Sequence, residues 1–335
     1  MKELPMNADG IVWARRAMIA GLAGLCFAAG SVLAQQYPDK PVRLVVPYPP
    51  ATLPDSFARA FSDELGKQLG QPVVIDNKPG GSLIIGTDAA AKAAPDGYTL
   101  LLASVSGLAL NVGAFKKLPY DPVKDFKAIS LVFSTPLYLL VSATLPIQSV
   151  KDFVAYAKAH PGAMSYASVG HGSSLHLMGA AFARSAGIEL QHVPYKGSAA
   201  AMSDLTTGRV SAIFDGGALL PQVTSGKLRV LAVTGSQRLP SYPDLPTMTE
   251  SGVPGLDADF WFGIVAPAAT PDPVVARLSK AIRDVVASPA LASRLGALPN
   301  VRTGSSSPDE FSNLIKRDIP RWNGLLKNAG VVPQD

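Results

Sequence analysis

From Val42 onward, the apolar positions alternate between short strand-like runs and helical stripes. Val42–Val46 is a mostly apolar run that Pro47, Pro49 and Pro50 bring to an end, as a strand followed by a loop would read. Phe57, Phe61, Leu65 and Leu69 then recur every four residues on one helical face, with Asp55 as the expected N-cap. Val73–Ile75 reads as the next strand, and Asn77-Lys78-Pro79-Gly80-Gly81 as the turn that leaves it. A helix through Ala89–Ala94 and a buried strand over Tyr98–Ala103 follow.

The same grammar returns further on. Ser149 with Asp152 predicts a capping box opening a helix to His160. Met164–Ala167 predicts a strand, Ser173 to Ala186 a helix ended by Gly187, and Ser198 to Thr207 a helix stopped by Gly208. Val210–Phe214 and Leu228–Val233 read as strands. Near the end, Asp272-Pro273 predicts an N-cap with proline at the first helical position, and Ser307-Pro308-Asp309-Glu310 a full capping box. The second helix turns Phe311, Ile315, Trp322 and Leu326 inward, with a kink expected at Pro320. Strand, loop and helix in repetition predict a doubly wound parallel α/β architecture, present twice. No fixed-period repeat appears.

The first 34 residues break this pattern. Arg15-Arg16 precedes an uncharged stretch, Ala17 to Ala34, ending in Val32-Leu33-Ala34 with small residues where a signal peptidase needs them. This predicts a signal peptide cut before Gln35 and an exported, periplasmic protein. A membrane anchor needs ~20 apolar residues, and polar Gln35-Gln36 follows too soon. Leu25 is too large for lipidation at Cys26, and the residues after the twin arginines fit the folded-export signal poorly. Without residues 1–34 the formal charge falls from +5 to +4, and no cysteine remains, which excludes a disulfide scaffold and a cysteine-based zinc site. Lys and Arg form no cluster interleaved with aromatics, so the basic balance predicts no nucleic-acid partner.

Enzyme signatures fail on spacing. Gly170-His171-Gly172-Ser173-Ser174 has Gly172 where a nucleophile elbow needs serine, and Leu175 where a dinucleotide loop needs its third glycine. His171 and His176 lie five apart, off one helical face and with no carboxylate between them, so neither metal nor cofactor is expected. Asp55, Asp96, Asp121 and Asp215 are isolated, each with a cap or turn explanation. What remains is a set of loops rich in small residues at strand ends, where open α/β sheets bind ligands. These are Pro49–Asp55, Asn77–Thr87, Ser104–Gly107, Ser168–Ser174 and Tyr195–Ser198, with Asp215-Gly216-Gly217 as a sixth. Their N–H groups and the helix starts that follow suit a carboxylate without needing a cation.

Several blocks resemble a known family. They are Tyr37-Pro38-Asp39-Lys40-Pro41, Val45-Val46-Pro47-Tyr48-Pro49-Pro50, Ala94-Pro95-Asp96-Gly97-Tyr98 and Leu118-Pro119-Tyr120-Asp121-Pro122. Tyr166-Ala167-Ser168, His192-Val193-Pro194-Tyr195-Lys196-Gly197 and Trp261-Phe262-Gly263 continue the match. Together they resemble the substrate-binding receptors of tripartite tricarboxylate transporters, the Bug receptors. The resemblance implies a two-lobed periplasmic-binding-protein architecture, each lobe a sheet flanked by helices. Lobe 1 would span 36–135 and 260–335, lobe 2 would span 136–259, and hinges would lie near Pro136–Val141 and Asp257–Phe262.

The implied function is capture of a small carboxylated metabolite by a monomer and its delivery to membrane permease subunits. A receptor presenting its closed form to a membrane sensor is the alternative; an enzyme on the same scaffold lacks a nucleophile or metal. The residues expected to line the ligand are Pro50, Ala51, Thr52, Ser82, Leu83, Ser104, Ser106, Ser168, Gly170, His171, Gly172, Ser173, Ser174, Tyr195, Gly197 and Asp215. Lys196 is expected as a solvated charge, Trp261 as hinge or core packing, and Asp55 as a cap. This chain departs from the family at Ala51-Thr52 and at Ser82-Leu83-Ile84, where relatives carry glycines or small residues. The added apolar side chains predict a ligand with an apolar part beside its carboxylate.

Overall fold

A computed structural model of the chain describes residues 37–334 except 240, 257, 297, 299 and 300. The expected export segment and its cut after Ala34 lie outside the described residues, as does Asp257 of the second expected hinge. The described residues from Lys40 onward form one compact unit. Among the described residues, no helix is long and apolar enough to cross a membrane.

The strands, in chain order, are β1 (Val42–Val46), β2 (Val73–Asn77), β3 (Thr99–Ser104), β4 (Phe126–Thr135), β5 (Tyr138–Ser142), β6 (Ser165–Ser168), β7 (Gln191–Pro194), β8 (Ala212–Asp215), β9 (Leu228–Val233), β10 (Phe260–Pro267) and β11 (Arg302–Thr303). Helices between and after them include α1 (Leu53–Leu69), α2 (Ile84–Ala91), α3 (Val150–Ala159), α4 (Ser174–Ala186), α5 (Ser198–Thr206), α6 (Asp272–Val286) and α7 (Pro308–Asn328). Two sheets result. One is ordered β11-β4-β10-β3-β1-β2, the other β7-β6-β8-β5-β9.

Neither sheet is wholly parallel, which corrects the doubly wound parallel expectation. β1 pairs in parallel with β2 and β3, and β6 with β7 and β8, because helical crossovers join them. The antiparallel pairs are those the chain uses to pass between sheets. β4 leaves the first sheet where β10 returns to it, so the two run opposite ways. β5 enters the second sheet where β9 leaves it, with the same outcome.

The core follows the apolar stripes. α1 buries Phe57, Phe61, Leu65 and Leu69. Phe57 lies 4.1 Å from Phe133 of β4, which stacks at 4.3 Å on Phe262 of β10, so one aromatic column ties helix to sheet. Full burial of such a ring contributes about 1.5–3 kcal/mol. In α7 both arms of the Ser307–Glu310 capping box are present, and Phe311, Ile315, Trp322 and Leu326 are buried. The helix runs on through Pro320. Gly263 must be glycine, since a Cβ there would stand 2.2 Å from the Phe311 ring. Trp261 belongs to this core: its indole N–H donates to Asp318 at 2.6 Å, and it meets Phe311 edge-on at 5.4 Å.

Local readings shift at several helix starts. Asp55 is not the N-cap: α1 begins at Leu53 after Thr52, and the Asp55 carboxylate instead accepts from the Ala51 N–H at 2.9 Å. Ser149 caps α3 by accepting from Asp152 N–H, but the Asp152 carboxylate takes the Gln148 amide rather than that of Ser149. Asp272 is the first residue of α6, with Pro271 at the N-cap position. The helix expected through Ala89–Ala94 starts earlier, at Ile84.

Candidate functional site

Loops from the strand ends of both sheets meet. The Ser82 hydroxyl donates to the His171 carbonyl at 3.2 Å, joining the loop before α2 to the loop before α4. Gly172 lies against Ala114, where a Cβ would come within 2.9 Å, and Gly216 lies beside Leu53. Ser82, His171 and Gly172 are thus brought together as expected lining residues.

On the six-stranded side the backbone is strained. Ala51, Ser82 and Leu83 have φ of 63°, 52° and 75°, a left-handed conformation that glycine adopts freely and other residues at a cost. Each is held by a side chain from further along. Ala51 N–H is held by Asp55, whose carboxylate also takes Arg59 at 2.9 and 3.0 Å and Asn77 at 2.8 Å. Burial pulls the Asp55 pKa up, but the Arg59, Asn77 and Ala51 bonds together hold it below the ordinary value. The Ser82 carbonyl accepts from Asn111 at 2.9 Å, and the Leu83 carbonyl from Thr87 at 2.8 Å. Ser104 accepts from the Tyr48 hydroxyl at 2.9 Å, Ser106 is buried in the turn that follows β3, and Thr52 donates to Pro49 of its own loop. Pro50 and Ala51 are exposed.

On the five-stranded side the donors are more committed than the sequence suggested. Ser168 Oγ accepts from Gly170 N–H at 3.1 Å and donates to Gly170 O at 3.0 Å. Ser173 caps α4, its Oγ accepting from His176 N–H at 3.3 Å and donating to Gly170 O at 2.7 Å. The Gly172 N–H donates to His176 Nδ1 at 3.1 Å. Of the three amides expected to face an anion, Gly172 and Ser173 are therefore engaged within the loop; Ser174 opens the helix, where its N–H has no intrahelical partner.

Asp215 closes on its own turn, accepting from Gly217 at 2.8 Å and Leu219 at 3.1 Å. Tyr195 donates to Asp204 at 2.7 Å, and burial with that neighbouring carboxylate pushes its hydroxyl up to about 12. Gly197 is extended at the start of α5 with open space around it, and Lys196 is exposed.

Sequence reasoning missed His192. Strand β7 pairs with β6 so that Tyr166 faces His192, and its ring stacks on His176 at 4.0 Å. His171 is not on the helix at all but in the loop before it, so the argument from helical spacing does not apply. It meets His176 edge-on at 4.4 Å and His192 at 5.2 Å. Burial first, then the neighbouring imidazoles, draw His176 down to about 3 and His192 to about 4. Both rings are neutral at neutral pH. Local spacing carries no signal of this, because the meeting depends on β7 pairing beside β6.

A sequence model described as "Tripartite tricarboxylate transporter family receptor" matches residues 57–331. The chain belongs to this family. BugT of Bordetella pertussis is 37% identical over 307 residues, covering 90% of this chain and 93% of that protein. Among solved structures, the periplasmic binding protein BugD is 35% identical with a TM-score of 0.81, covering 89% of this chain and 100% of that one. R. palustris Rpa4515, solved with adipate, is 34% identical with a TM-score of 0.83 over 89% of this chain and 99% of that one. MatC of Rhodopseudomonas palustris, solved with malate, is 30% identical with a TM-score of 0.77 over 87% and 100%. These likenesses make the two sheets of this tripartite tricarboxylate transporter receptor the two lobes of a periplasmic-binding-protein fold. The resemblance read from the sequence is the family that the comparisons show.

Proposed function

We propose that this receptor captures a small carboxylated metabolite between the loops of its two sheets and delivers it to the permease subunits of a tripartite transporter. The observation that carries the reading is the meeting of strand-end loops from both sheets, with Ser82 bonded to His171 across them. Relatives that hold adipate and malate support the ligand class. The carboxylate is held by the N–H groups that open α4, beginning at Ser174, where unpaired donors and the helix dipole favour an anion. Two charge-assisted bonds of ~1.5–3 kcal/mol each fall short of the ~8.2 kcal/mol of micromolar binding, so burial of the ligand's apolar part supplies the rest. Leu83 and Ile84 supply apolar surface for the rest of the ligand, which favours a chain or ring beyond the carboxylate.

The lobes divide at Pro136-Leu137 and in the segment before β10, and they close as a monomer about those crossings. The chain is exported, cut before Gln35 and works in the periplasm. Native mass spectrometry of the purified protein, followed by calorimetry with the metabolite it carries, tests the reading. A co-purified carboxylate that rebinds supports it. A protein that binds neither adipate, malate nor any branched or aromatic acid overturns it.

A further inference from the structure

Three of the four histidines in the chain converge on one spot. They come from separate pieces of backbone: His171 from the loop after β6, His176 from the first turn of α4 and His192 from β7. One nitrogen of each lies within 4.8 Å of one nitrogen of both others. The fourth, His160, stacks on Tyr156 at the end of α3.

We propose that His171, His176 and His192 form a binding site for a divalent transition-metal ion that prefers nitrogen ligands, of the Zn2+, Ni2+ or Cu2+ class. The proposal does not rest on the carboxylate reading; the site stands whether or not an organic acid binds nearby.

The donor set fits this class. Three imidazoles with a further position open to water is a recurring arrangement for such ions, and hard cations such as Mg2+ and Ca2+ would demand oxygens instead. The charges that act on His176 and His192 come from neighbouring imidazoles and not from a carboxylate. His176 and His192 stay unprotonated at neutral pH, which is the form that ligates. His171 is exposed while His176 is buried and His192 half-buried, so the ion enters from the His171 side.

The surrounding bonds define what coordination changes. Ser168 Oγ lies 2.7 Å from His192 Nε2; in the tautomer with the proton on Nε2, Ser168 accepts it while its own hydroxyl donates to Gly170 O, and the Nδ1 lone pair is left to the ion. Such an outer partner fixes a ligating ring. At His176 the Gly172 N–H occupies Nδ1, so binding exchanges that hydrogen bond for a metal bond. His176 and His192 stack within 18° of parallel. Lone pairs of parallel rings do not converge, so the ion fans the two rings apart.

The test uses the full chain without a histidine tag, stripped with chelator and titrated with Zn2+ and Co2+ by calorimetry and visible absorption. One ion per chain is expected, with intense Co2+ bands of a four-coordinate site. His171→Ala and His192→Gln should each weaken binding by more than the ~10–100-fold that loss of an outer partner produces. Ser168→Ala should fall within that range, and His160→Ala should change nothing. Thermal melts confirm folding; His171 is exposed, so that variant serves if His192→Gln misfolds. Wild-type protein that binds neither ion overturns the proposal. So does binding that survives His171→Ala in folded protein, which marks an ion held elsewhere.

Discussion

The two sides of the cleft build the same kind of loop in opposite ways. On the six-stranded side, Ala51, Ser82 and Leu83 sit at positive φ, each pinned by a side chain further along: Asp55, Asn111 and Thr87. On the five-stranded side, positive φ falls to glycines, Gly170, Gly172 and Gly217, at 121°, 72° and 111°. Their pins are local, with Ser168, Ser173 and Asp215 bonding within a few residues. Strain at a non-glycine residue costs about 1–3 kcal/mol and persists only where its surroundings impose it. One side therefore holds non-glycine residues at positive φ by side-chain hydrogen bonds, while the other relies on the absence of a side chain.

Breaking the Asp55 pin should have the largest effect. Asp55→Ala removes the acceptor shared by Ala51, Arg59 and Asn77, and should cost about 2–4 kcal/mol in denaturant unfolding. The same carboxylate has a pKa held below its ordinary value, so its contribution is present above about pH 4 and is lost as pH falls through the folded pKa. Melting temperatures between about pH 5 and 2 should drop more steeply for wild type than for Asp55→Asn. Equal slopes would show that the pin is not electrostatic.

Gly172→Ala attacks the other side. The new Cβ would stand 2.9 Å from Ala114 at a φ of 72°, a loss of about 1–3 kcal/mol. A melt unchanged from wild type would show that the loops separate freely there.

Ser174→Pro sharpens the comparison at the ligand. It deletes the first N–H of α4 while keeping a helical φ, so affinity for a carboxylate that co-purifies with the protein should fall about tenfold, or ~1.4 kcal/mol, with stability little changed. Lys196→Ala should change affinity less, because an exposed charge acts weakly through water. Calorimetry giving the reverse order would move the anchor to the side-chain cation.

The smallest effects separate strain from freedom most directly. Leu83→Gly should be neutral or stabilise by up to ~1 kcal/mol, since it relieves a φ of 75°. Gly170→Ala, with open space around it but a φ of 121°, should destabilise by about 1 kcal/mol. If both shift stability the same way, the two loops do not differ as described.

Signals that act within a turn or two were legible in the sequence. The stripe Phe57, Phe61, Leu65 and Leu69 specified α1, the Ser307–Glu310 box opened α7, and strand-end glycines and serines marked the loops that meet. Those patterns work because helix periodicity and capping join residues three or four apart. Tertiary structure alone decided the rest. Which strands run antiparallel depended on where the chain crosses between sheets, and Asp55 acquired Asn77 from the end of β2 in place of a cap. The amides of Gly172 and Ser173 were spent inside their own loop. His192 reached His171 and His176 only because β7 pairs beside β6, and pairing across separate segments leaves no trace in local spacing.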